Sequence, residues 1–437
     1  MRIAILGAGI TGLTAGRLLR AAGHGVVLFE ALDRPGGLIR SEVVDGFTLD
    51  LAGGHVFFTR DQEVLQYVVD LMGEDNLVKT HRNTKIYYRG RYVHYPFENG
   101  LGDLPPEDNF ACLKGYVEAH IARRSGAAPA PVNFREWILW RFGPGIAEKF
   151  MVPYNEKLWK TDLSAMGFRW VEGRVPDAPM DDVLRSAVGI RTEGYTHQAL
   201  FRYPRRGGYG AIAERSARDL EGCIRFETPA RQVRKAARGF EVNGEAFDAL
   251  ISTISIPDLL RVLEGADPEL VSAGTSLRTL SLATFLIGLD HPSRFPYSWV
   301  YLPHPENGPC NRITHLSNYS PENAPPGRSS VMAELTFSGK PEVTDATVEQ
   351  VVAGLENCGI VRRRSIVLLT HRTVERAYAV YDHGFEERLE RARAGLDALG
   401  IVTVGRFGRF EYHNADQCIR RAIDAVKGLG VRTPLGS

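Results

Sequence analysis

Three glycines and one acid near the amino terminus have the spacing that binds a cofactor through its phosphates. Gly7, Gly9 and Gly12 follow a short apolar run, a helical pattern begins among them, and a second apolar run ends in Glu30. In such a unit the first glycine turns the chain, the second lets the backbone approach a pyrophosphate, and the third lets the helix pack on the strand. The helix amino terminus offers N–H groups to the phosphates, and the acid accepts hydrogen bonds from ribose hydroxyls. The sequence therefore predicts a dinucleotide-binding βαβ unit.

A second glycine turn follows the acid. Arg34, Gly36 and Gly37 form an RPGG sequence, and a glycine-rich loop with Gly54 and His55 comes after it. A domain that binds only a nicotinamide dinucleotide does not need these segments. The arrangement resembles the FAD-binding domain of the glutathione-reductase and amine-oxidase type. In that domain the RxGG turn passes near the pyrophosphate and the glycine-rich loop reaches the isoalloxazine, so the resemblance implies FAD as the cofactor.

Length and composition favour a multidomain enzyme without a nucleic-acid partner. A chain of 437 residues exceeds what one core usually serves, so two or three domains are expected. The 53 Lys and Arg nearly balance the 52 Asp and Glu, so no charge excess points to nucleic acid. The five cysteines lack metal-ligand spacing, so we expect no metal and favour a reducing cytoplasm. No stretch approaches the ~18 apolar residues of a membrane span, and the oligomeric state stays open.

The order of the patterns predicts an α/β fold with a Rossmann-like FAD-binding domain of the amine-oxidase type, interrupted by a helical domain and an antiparallel sheet domain. Amphipathic windows mark the helical insertion, and alternating apolar runs mark the sheet that carries the substrate site. The predicted FAD-binding segments are 1–80, 203–257 and 395–437, the helical insertion is 101–190, and the sheet domain is 81–100 with 258–394. A carboxy-terminal helix behind a glycine turn directs a second helix dipole at the flavin.

Eight short motifs occur in an order that identifies a family. They are GGHVFF (53–58), YPFEN (95–99), MVPYNEKLW (151–159), GRVPDAP (173–179), RYPRRGGYG (202–210), RITHLSNYSPEN (312–323), DHGF (382–385) and GRFG with the Tyr, Asn and Asp that follow it (405–416). Nearly end to end, this set resembles the UDP-galactopyranose mutases, and the eukaryotic-type branch more than the common bacterial one.

The resemblance implies a nucleotide-sugar isomerase. These flavoenzymes interconvert the pyranose and furanose forms of a UDP-hexose, UDP-galactopyranose and UDP-galactofuranose, for cell-surface polysaccharide. The flavin must be reduced, because its central-ring nitrogen attacks the anomeric carbon and displaces UDP. The resemblance thus implies reduced FAD, a UDP-hexose substrate and a cytoplasmic location, with NAD(P)H as a possible external reductant.

The resemblance also assigns roles to single residues. Arg174 and Arg312 match the pair that holds the diphosphate, His55 contacts the flavin, and Arg406 lies near the sugar and the flavin. Together with the residues of the two glycine turns and Gly54, the predicted flavin site contains Glu30, Gly405, Asn414 and Asp416. The predicted nucleotide and sugar contacts, besides the two diphosphate arginines, are Tyr95, Phe97, Glu98, Asn155, Trp159, Gln198, Tyr301, Phe385 and Tyr412.

Several of these residues also have a purely structural interpretation. Asn155 and Trp159 share one face if 153–160 is helical, and they then either line the pocket or form a buried Trp with a capping Asn. Phe97 fits a uracil platform or a hydrophobic core equally well.

Three departures from the family pattern leave the nucleotide and the sugar open. Glu98 stands where the family has an amide, Phe385 replaces a phosphate-contacting tyrosine, and Gln198 replaces an asparagine. A mutase acting on another NDP-sugar therefore remains an alternative. Two others are an FAD-dependent oxidoreductase of the amine-oxidase or protoporphyrinogen-oxidase type, which shares the FAD domain, and a flavin-bound protein without catalysis.

Overall fold

A computed structural model describes residues 1–171, 175, 178–192 and 199–431 of the chain. The strands are β1 (Arg2–Leu6), β2 (Gly25–Phe29), β3 (Ser41–Val44), β4 (Phe47–Asp50), β5 (Leu77–His81), β6 (Thr84–Tyr88), β7 (Arg91–His94), β8 (Leu200–Pro204), β9 (Ile224–Arg225), β10 (Val233–Lys235), β11 (Phe240–Val242), β12 (Glu245–Phe247), β13 (Ala249–Ser252), β14 (Thr279–Leu289), β15 (Trp299–Tyr301), β16 (Arg312–Thr314), β17 (Ser329–Ser338), β18 (Ile366–Ala379) and β19 (Val402–Thr403). The helices are α1 (Ile10–Ala21), α2 (Gln62–Met72), α3 (Pro106–Arg124), α4 (Phe134–Ile146), α5 (Val152–Trp159), α6 (Met180–Ala187), α7 (Ala211–Arg218), α8 (Ile256–Val262), α9 (Pro268–Thr275), α10 (Asp345–Asn357), α11 (Phe385–Ala398) and α12 (Ala415–Gly428).

A five-stranded parallel sheet contains the first βαβ unit. Its strand order is β9-β2-β1-β13-β19, and every pair in it is parallel. The strands are short apolar runs because both faces of the sheet are covered, as in β1, where four of the five residues are buried. The carboxyl ends of β1, β2 and β13 meet at one edge, where open α/β sheets bind their ligands. The predicted FAD-binding α/β fold is confirmed.

A second sheet has seven strands in the order β18-β14-β17-β16-β15-β6-β7. Its long strands β14, β17 and β18 pair antiparallel, as predicted. One pair departs from that prediction, because β15 runs parallel to β6. The hairpin β6–β7 precedes the helical insertion, and the chain returns beside it only after that long crossover, which is the kind of connection that a parallel pair requires.

The helical segment between the sheets packs its helices unusually closely. A Cβ on Gly143 would lie 2.1 Å from the carbonyl oxygen of Gly115, and Gly143 has a φ of +71° at the kink before Pro144. Glycine is therefore required on both grounds. A π-helical turn at Ala147–Met151 then leads directly into α5. Among the described helices, none is long and apolar enough to cross a membrane.

The three segments assigned to the FAD-binding domain supply all the strands of the parallel sheet. Strands β1 and β2 come from the first segment, β9 and β13 from the second, and β19 from the third. Helix α12 of the last segment packs against α1. The exact domain boundaries stay predictions.

Gly12→Ala tests the close packing of the first turn. A Cβ at Gly12 would lie 2.1 Å from the carbonyl oxygen of Gly7, so the substitution must displace α1 from β1. We expect the free energy of unfolding, measured by urea denaturation, to fall by about 2–3 kcal/mol. The control is Gly428→Ala at the end of α12, where nothing lies within 4 Å of the added carbon. An equal effect of both substitutions would contradict the close approach.

Candidate active site

The first glycine turn leaves an open cradle at the amino end of α1. Gly7 has a φ of +94°, and its N–H donates to the carbonyl oxygen of Phe29 at 2.8 Å. Gly9 caps α1, and no side chain hydrogen bonds to this helix end. Nothing lies within 4 Å of the position that a Cβ on Gly9 would take. Free N–H groups beside open space fit an anionic group such as a pyrophosphate.

Glu30 holds the first turn from the end of β2. Its carboxylate is 7% exposed and accepts hydrogen bonds from the N–H groups of Ala8 at 2.8 Å and Leu32 at 3.0 Å. Each carboxylate oxygen can accept a second bond. The acid therefore shapes the turn and keeps acceptor capacity for the hydroxyls of a ribose.

The RPGG turn lies against the first glycine turn. Gly36 donates its N–H to the carbonyl oxygen of Ala8 at 2.8 Å, and a Cβ on Gly37 would lie 3.3 Å from the Cα of Gly9. The side chain of Arg34 instead pairs with Asp33 and is 49% exposed. The backbone of this turn, rather than its arginine, thus borders the cradle.

His55 lies in the loop after β4 and stacks on Tyr209 with ring centroids 5.4 Å apart. Its Nδ1 is buried without a hydrogen-bond partner. Burial, together with the charges of Arg312 and Arg406, lowers the pKa of His55 to about 3. The ring is therefore neutral at working pH, and its unpartnered nitrogen suits a hydrogen bond to a polar edge such as that of a flavin.

Arg312 makes a bidentate ion pair with a buried acid. Its Nε and Nη2 each donate to the Glu334 carboxylate at 2.8 Å, and Glu334 is 0% exposed. Although burial acts to lower it, the Glu334 charge raises the pKa of Arg312 well above its usual value. Glu334 also accepts the N–H of Gly54 at 3.2 Å. The pair fixes the Arg312 fork beside the His55 loop and leaves its Nη1 for a ligand.

Tyrosines surround the two arginines. The ring of Tyr301 lies 5.3 Å from that of Tyr95 and 5.1 Å from that of Tyr154. The guanidinium of Arg406 lies 4.5 Å from the ring centre of Tyr412. Rigid aromatic hydroxyls and fixed cations together form a cleft that suits a multiply charged anion.

Sequence reasoning missed Tyr154 and Tyr378 in this cleft. Burial raises the pKa of both, and the charge of Arg312 acts on both to lower it, so both lie near that arginine. The signals were present, since Tyr154 precedes Asn155 within one motif. Tyr378 stands at the end of β18, shortly before DHGF.

Asn155 and Trp159 share a face of α5 as expected, but they bond to each other. Trp159 Nε1 donates to Asn155 Oδ1 at 3.1 Å, and Asn155 Nδ2 donates to the Met151 carbonyl at 2.7 Å. Trp159 is 1% exposed and its ring meets Tyr378 edge-on at 6.1 Å. Both side chains thus act as a wall behind the tyrosines.

Two predicted aromatic contacts lie in the core. Phe97 is 0% exposed and stacks on Phe150 at 5.2 Å. Phe385 is 4% exposed and packs edge-on against Tyr381 at 4.9 Å. Glu98, beside Phe97, is also buried. Of the YPF segment, the half-buried Tyr95 is the aromatic nearest the cleft.

The carboxy-terminal turn packs against the first turn of α1, beside the first glycine turn. A Cβ on Gly405 would lie 2.6 Å from the Thr11 hydroxyl. Arg406 donates from Nη1 to the His413 carbonyl at 2.8 Å and from Nη2 to the Ala377 carbonyl at 3.1 Å, so the turn and β18 hold its guanidinium between them.

Two further predicted residues stand at the start of the last helix. Asn414 opens α12 with its N–H bonded to Gln417 Oε1 at 3.1 Å. Burial raises the pKa of Asp416. Arg174 and Gln198 lie outside the described residues.

A cavity of about 970 Å³ opens beside the cleft, and Trp170, Tyr381, Phe385, Tyr412 and His413 contribute to its wall. Its volume is at the upper end of the range for small-molecule sites. In the described part of the chain, no group of three His, Cys, Asp or Glu residues is arranged to hold a metal ion. The cradle, the ribose acceptor and the His55 loop fit a flavin dinucleotide, and the cleft fits an anionic partner.

Comparisons with known proteins agree with this geometry. Residues 10–358 match the family of flavin containing amine oxidoreductases. The fold superposes on a crystal structure of reduced UDP-galactopyranose mutase with a TM-score of 0.89 and 32% identity, covering 99% of this chain and 96% of that one. The chain is 24% identical to coproporphyrinogen III oxidase of Mycobacterium tuberculosis over 341 residues, 72% of each protein. It is 31% identical to putrescine oxidase of Kocuria rosea over 256 residues, 54% of this chain and 50% of that protein.

Gly9→Ala tests the cradle. Its backbone is extended and nothing lies within 4 Å of the added methyl, so the apoprotein should keep its melting temperature. The methyl would occupy the space of the pyrophosphate, and we expect the affinity for FAD to fall about tenfold or more, measured by titration of the apoprotein. Gly428→Ala is the control, and unchanged FAD affinity in Gly9→Ala would place the cofactor elsewhere.

His55→Gln tests the neutral imidazole. The folded pKa of about 3 lies below the unfolded value, so the unfolded chain binds more protons as pH falls below ~6.5. The wild type should therefore lose about 2–3 kcal/mol of unfolding free energy between pH 7 and pH 4 that His55→Gln does not lose. Urea denaturation at each pH measures this, with the exposed His81→Gln as control. Identical pH profiles would show that His55 is solvated.

Proposed function

This chain belongs to the flavin containing amine oxidoreductases and, within them, to the UDP-galactopyranose mutase family, and we propose that it interconverts the pyranose and furanose forms of a UDP-hexose. UDP-galactose is the first candidate substrate. A reduced FAD in the cradle would supply the nucleophile for the anomeric carbon. The protein's own residues would then bind the diphosphate and stabilise it as it leaves and returns.

One observation carries the proposal: Arg312 is locked by Glu334 beside both the His55 loop and the tyrosine cluster. The two hydrogen bonds at 2.8 Å fix the guanidinium before any ligand arrives, so little reorganisation is needed when negative charge develops on a leaving diphosphate. A substrate without phosphates would give this cation and the tyrosines around it no such role.

The surrounding residues divide the remaining work. Arg406 lies over the ring of Tyr412 at 4.5 Å, so both can approach the sugar and the diphosphate from the carboxy-terminal turn. Neutral His55 offers a hydrogen bond without adding a cation next to the flavin. Arg174 would complete the diphosphate pair that the family resemblance implies.

We assign the base to the side of the cleft that Tyr95 borders. The Tyr95 ring has the guanidinium of Arg82 at 5.4 Å on one face and lies beside Tyr301. Phe97 supports this wall through Phe150, whose ring lies 6.4 Å from that of Tyr301. Buried Glu98 is the group that would discriminate between bases, because an ionised carboxylate accepts but cannot donate a hydrogen bond.

The proposal extends to the setting of the reaction. A mutase of this kind needs an external source of electrons to keep its flavin reduced, for which NAD(P)H is the candidate. Galactofuranose for cell-surface polysaccharide is the candidate product, and the cytoplasm is the candidate location.

An oxidase is the second candidate, because the curated relatives named above are oxidases. Such an enzyme would transfer electrons from its substrate to the flavin and then to oxygen. With coproporphyrinogen or a polyamine as its substrate, it would release hydrogen peroxide, and it would need no nucleotide. The two candidates therefore differ in a product that is simple to measure.

The decisive test is turnover of NDP-hexoses by dithionite-reduced enzyme, with furanose products separated chromatographically. Removing Arg312 alone would strand the buried Glu334 carboxylate at a cost of about 3–5 kcal/mol, so Arg312→Met is combined with Glu334→Gln. We expect this double variant to keep its bound flavin and to lose about 100-fold or more in kcat, because the leaving diphosphate loses its fixed cation.

Glu334→Gln alone is the matched control. It keeps the Arg312 cation and one acceptor oxygen for its guanidinium, so it should lose less activity than the double variant. Equal activity of the control and the double variant would show that Arg312 does not bind the diphosphate. Release of hydrogen peroxide, with no furanose product from any NDP-hexose, would show that the protein is an oxidase and not a mutase.

A further inference from the structure

Asp50 is a fully buried acid at the end of β4, with 0% exposure. Its Oδ1 accepts hydrogen bonds from the Ser41 hydroxyl at 2.5 Å and from the N–H of Tyr209 at 3.0 Å. Its Oδ2 accepts the Tyr203 hydroxyl at 2.9 Å. The neighbouring strand β3 and the distant segment 203–209 thus converge on one carboxylate.

The same carboxylate is coupled to the His55 loop in two ways. Burial raises the pKa of Asp50 to about 6, while a hydrogen bond from the His55 backbone is among the interactions that lower it. In addition, Tyr209, whose N–H bonds to Asp50, has its ring stacked on the His55 imidazole at 5.4 Å. Asp50 therefore lies near the backbone of His55 and supports its ring through Tyr209.

The loop that carries Tyr209 is built around this acid. A Cβ on Gly208 would lie 2.5 Å from the Ser41 hydroxyl and 2.8 Å from Asp50 Oδ1, and Gly208 has a φ of +70°. The next residue but one, Gly210, donates its N–H to the Ser41 hydroxyl at 2.8 Å. Close approach to Asp50 and Ser41 is therefore required at Gly208 and Gly210, and the bonds made there hold the turn.

We infer that Asp50 is a positioning residue that sets the orientation of His55 toward the flavin, acting through the His55 backbone and the Tyr209 ring. This inference rests on the proposed function only in that His55 faces a bound flavin. No atom of Asp50 needs to touch substrate or cofactor, since the carboxylate is enclosed by its own donors. As a consequence, the His55 ring is held in one orientation, and its unpartnered Nδ1 points in a single direction.

The test is a double-mutant cycle with Asp50→Asn and His55→Ala in the holoenzyme. The amide keeps the shape of the carboxylate and one acceptor oxygen, so the fold should survive with FAD bound. Visible circular dichroism of the bound flavin and the ¹⁵N shifts of the His55 ring are the primary measurements. The kcat of the reduced enzyme is the secondary one.

Asp50→Asn should change the flavin dichroism, shift the His55 ring signals and lower kcat about 10- to 100-fold. In the His55→Ala background the same substitution should add nothing to dichroism or kcat, because the residue through which it acts is gone. Additive effects in both backgrounds, or a changed melting temperature alone, would overturn the inference.

Asp108→Asn is the matched control, because Asp108 accepts a tyrosine hydroxyl, that of Tyr88, at 3.0 Å. It should alter the melting temperature and leave the flavin dichroism unchanged. Should Asp50→Asn fail to fold, Ser41→Ala takes its place in the cycle, since it removes one donor and keeps the carboxylate. A holoenzyme that turns over no nucleotide sugar would end the proposed function, while dichroism and the ring shifts would still decide the role of Asp50.

Discussion

The buried ion pair between Arg312 and Glu334 is the interaction on which the rest of the site depends. The two residues stand opposite each other on β16 and β17, so the sheet itself sets their spacing. The carboxylate also packs on the glycine loop, because a Cβ on Gly53 would lie 2.7 Å from the Glu334 carboxyl carbon. One pair thus joins the seven-stranded sheet to the loop that carries His55. A buried ion pair contributes little net stability, and its value here is that it fixes a cation where a diphosphate would lie.

The glycines of the site serve two different purposes. Gly12, Gly53 and Gly208 are required because protein atoms occupy the space of a side chain. Gly9 has open space in front of it, and this is the space that we propose for the pyrophosphate of the cofactor. The same residue type therefore marks internal packing in one place and a cofactor cradle in another, and only the surroundings distinguish them.

Aromatic packing explains why motif residues of a ligand site can be buried. Phe97 supports Tyr301 through Phe150, with ring centroids 5.2 and 6.4 Å apart. Trp159 and Phe385 support Tyr412 through Trp170 and Tyr381, with ring centroids 4.9–6.2 Å apart. Aromatic pairs of this kind restrict the orientation of their neighbours. At Phe385, where the resemblance implies a tyrosine, phenylalanine keeps the ring contact with Tyr381 and carries no hydroxyl.

The sequence by itself determined the elements whose causes are local. The βαβ unit and the RPGG turn follow from glycine spacing and apolar periodicity, because neighbouring residues decide a turn or a helical face. The family motifs also brought Arg312, Arg406 and His55 to one expected site. Tertiary structure alone decided that Glu334 holds Arg312, that Asp50 holds the His55 loop, that Tyr154 and Tyr378 enter the cleft, and that Phe97 faces the core. Each of these contacts joins segments far apart along the chain, and no local pattern encodes which side chains meet once the sheets have packed.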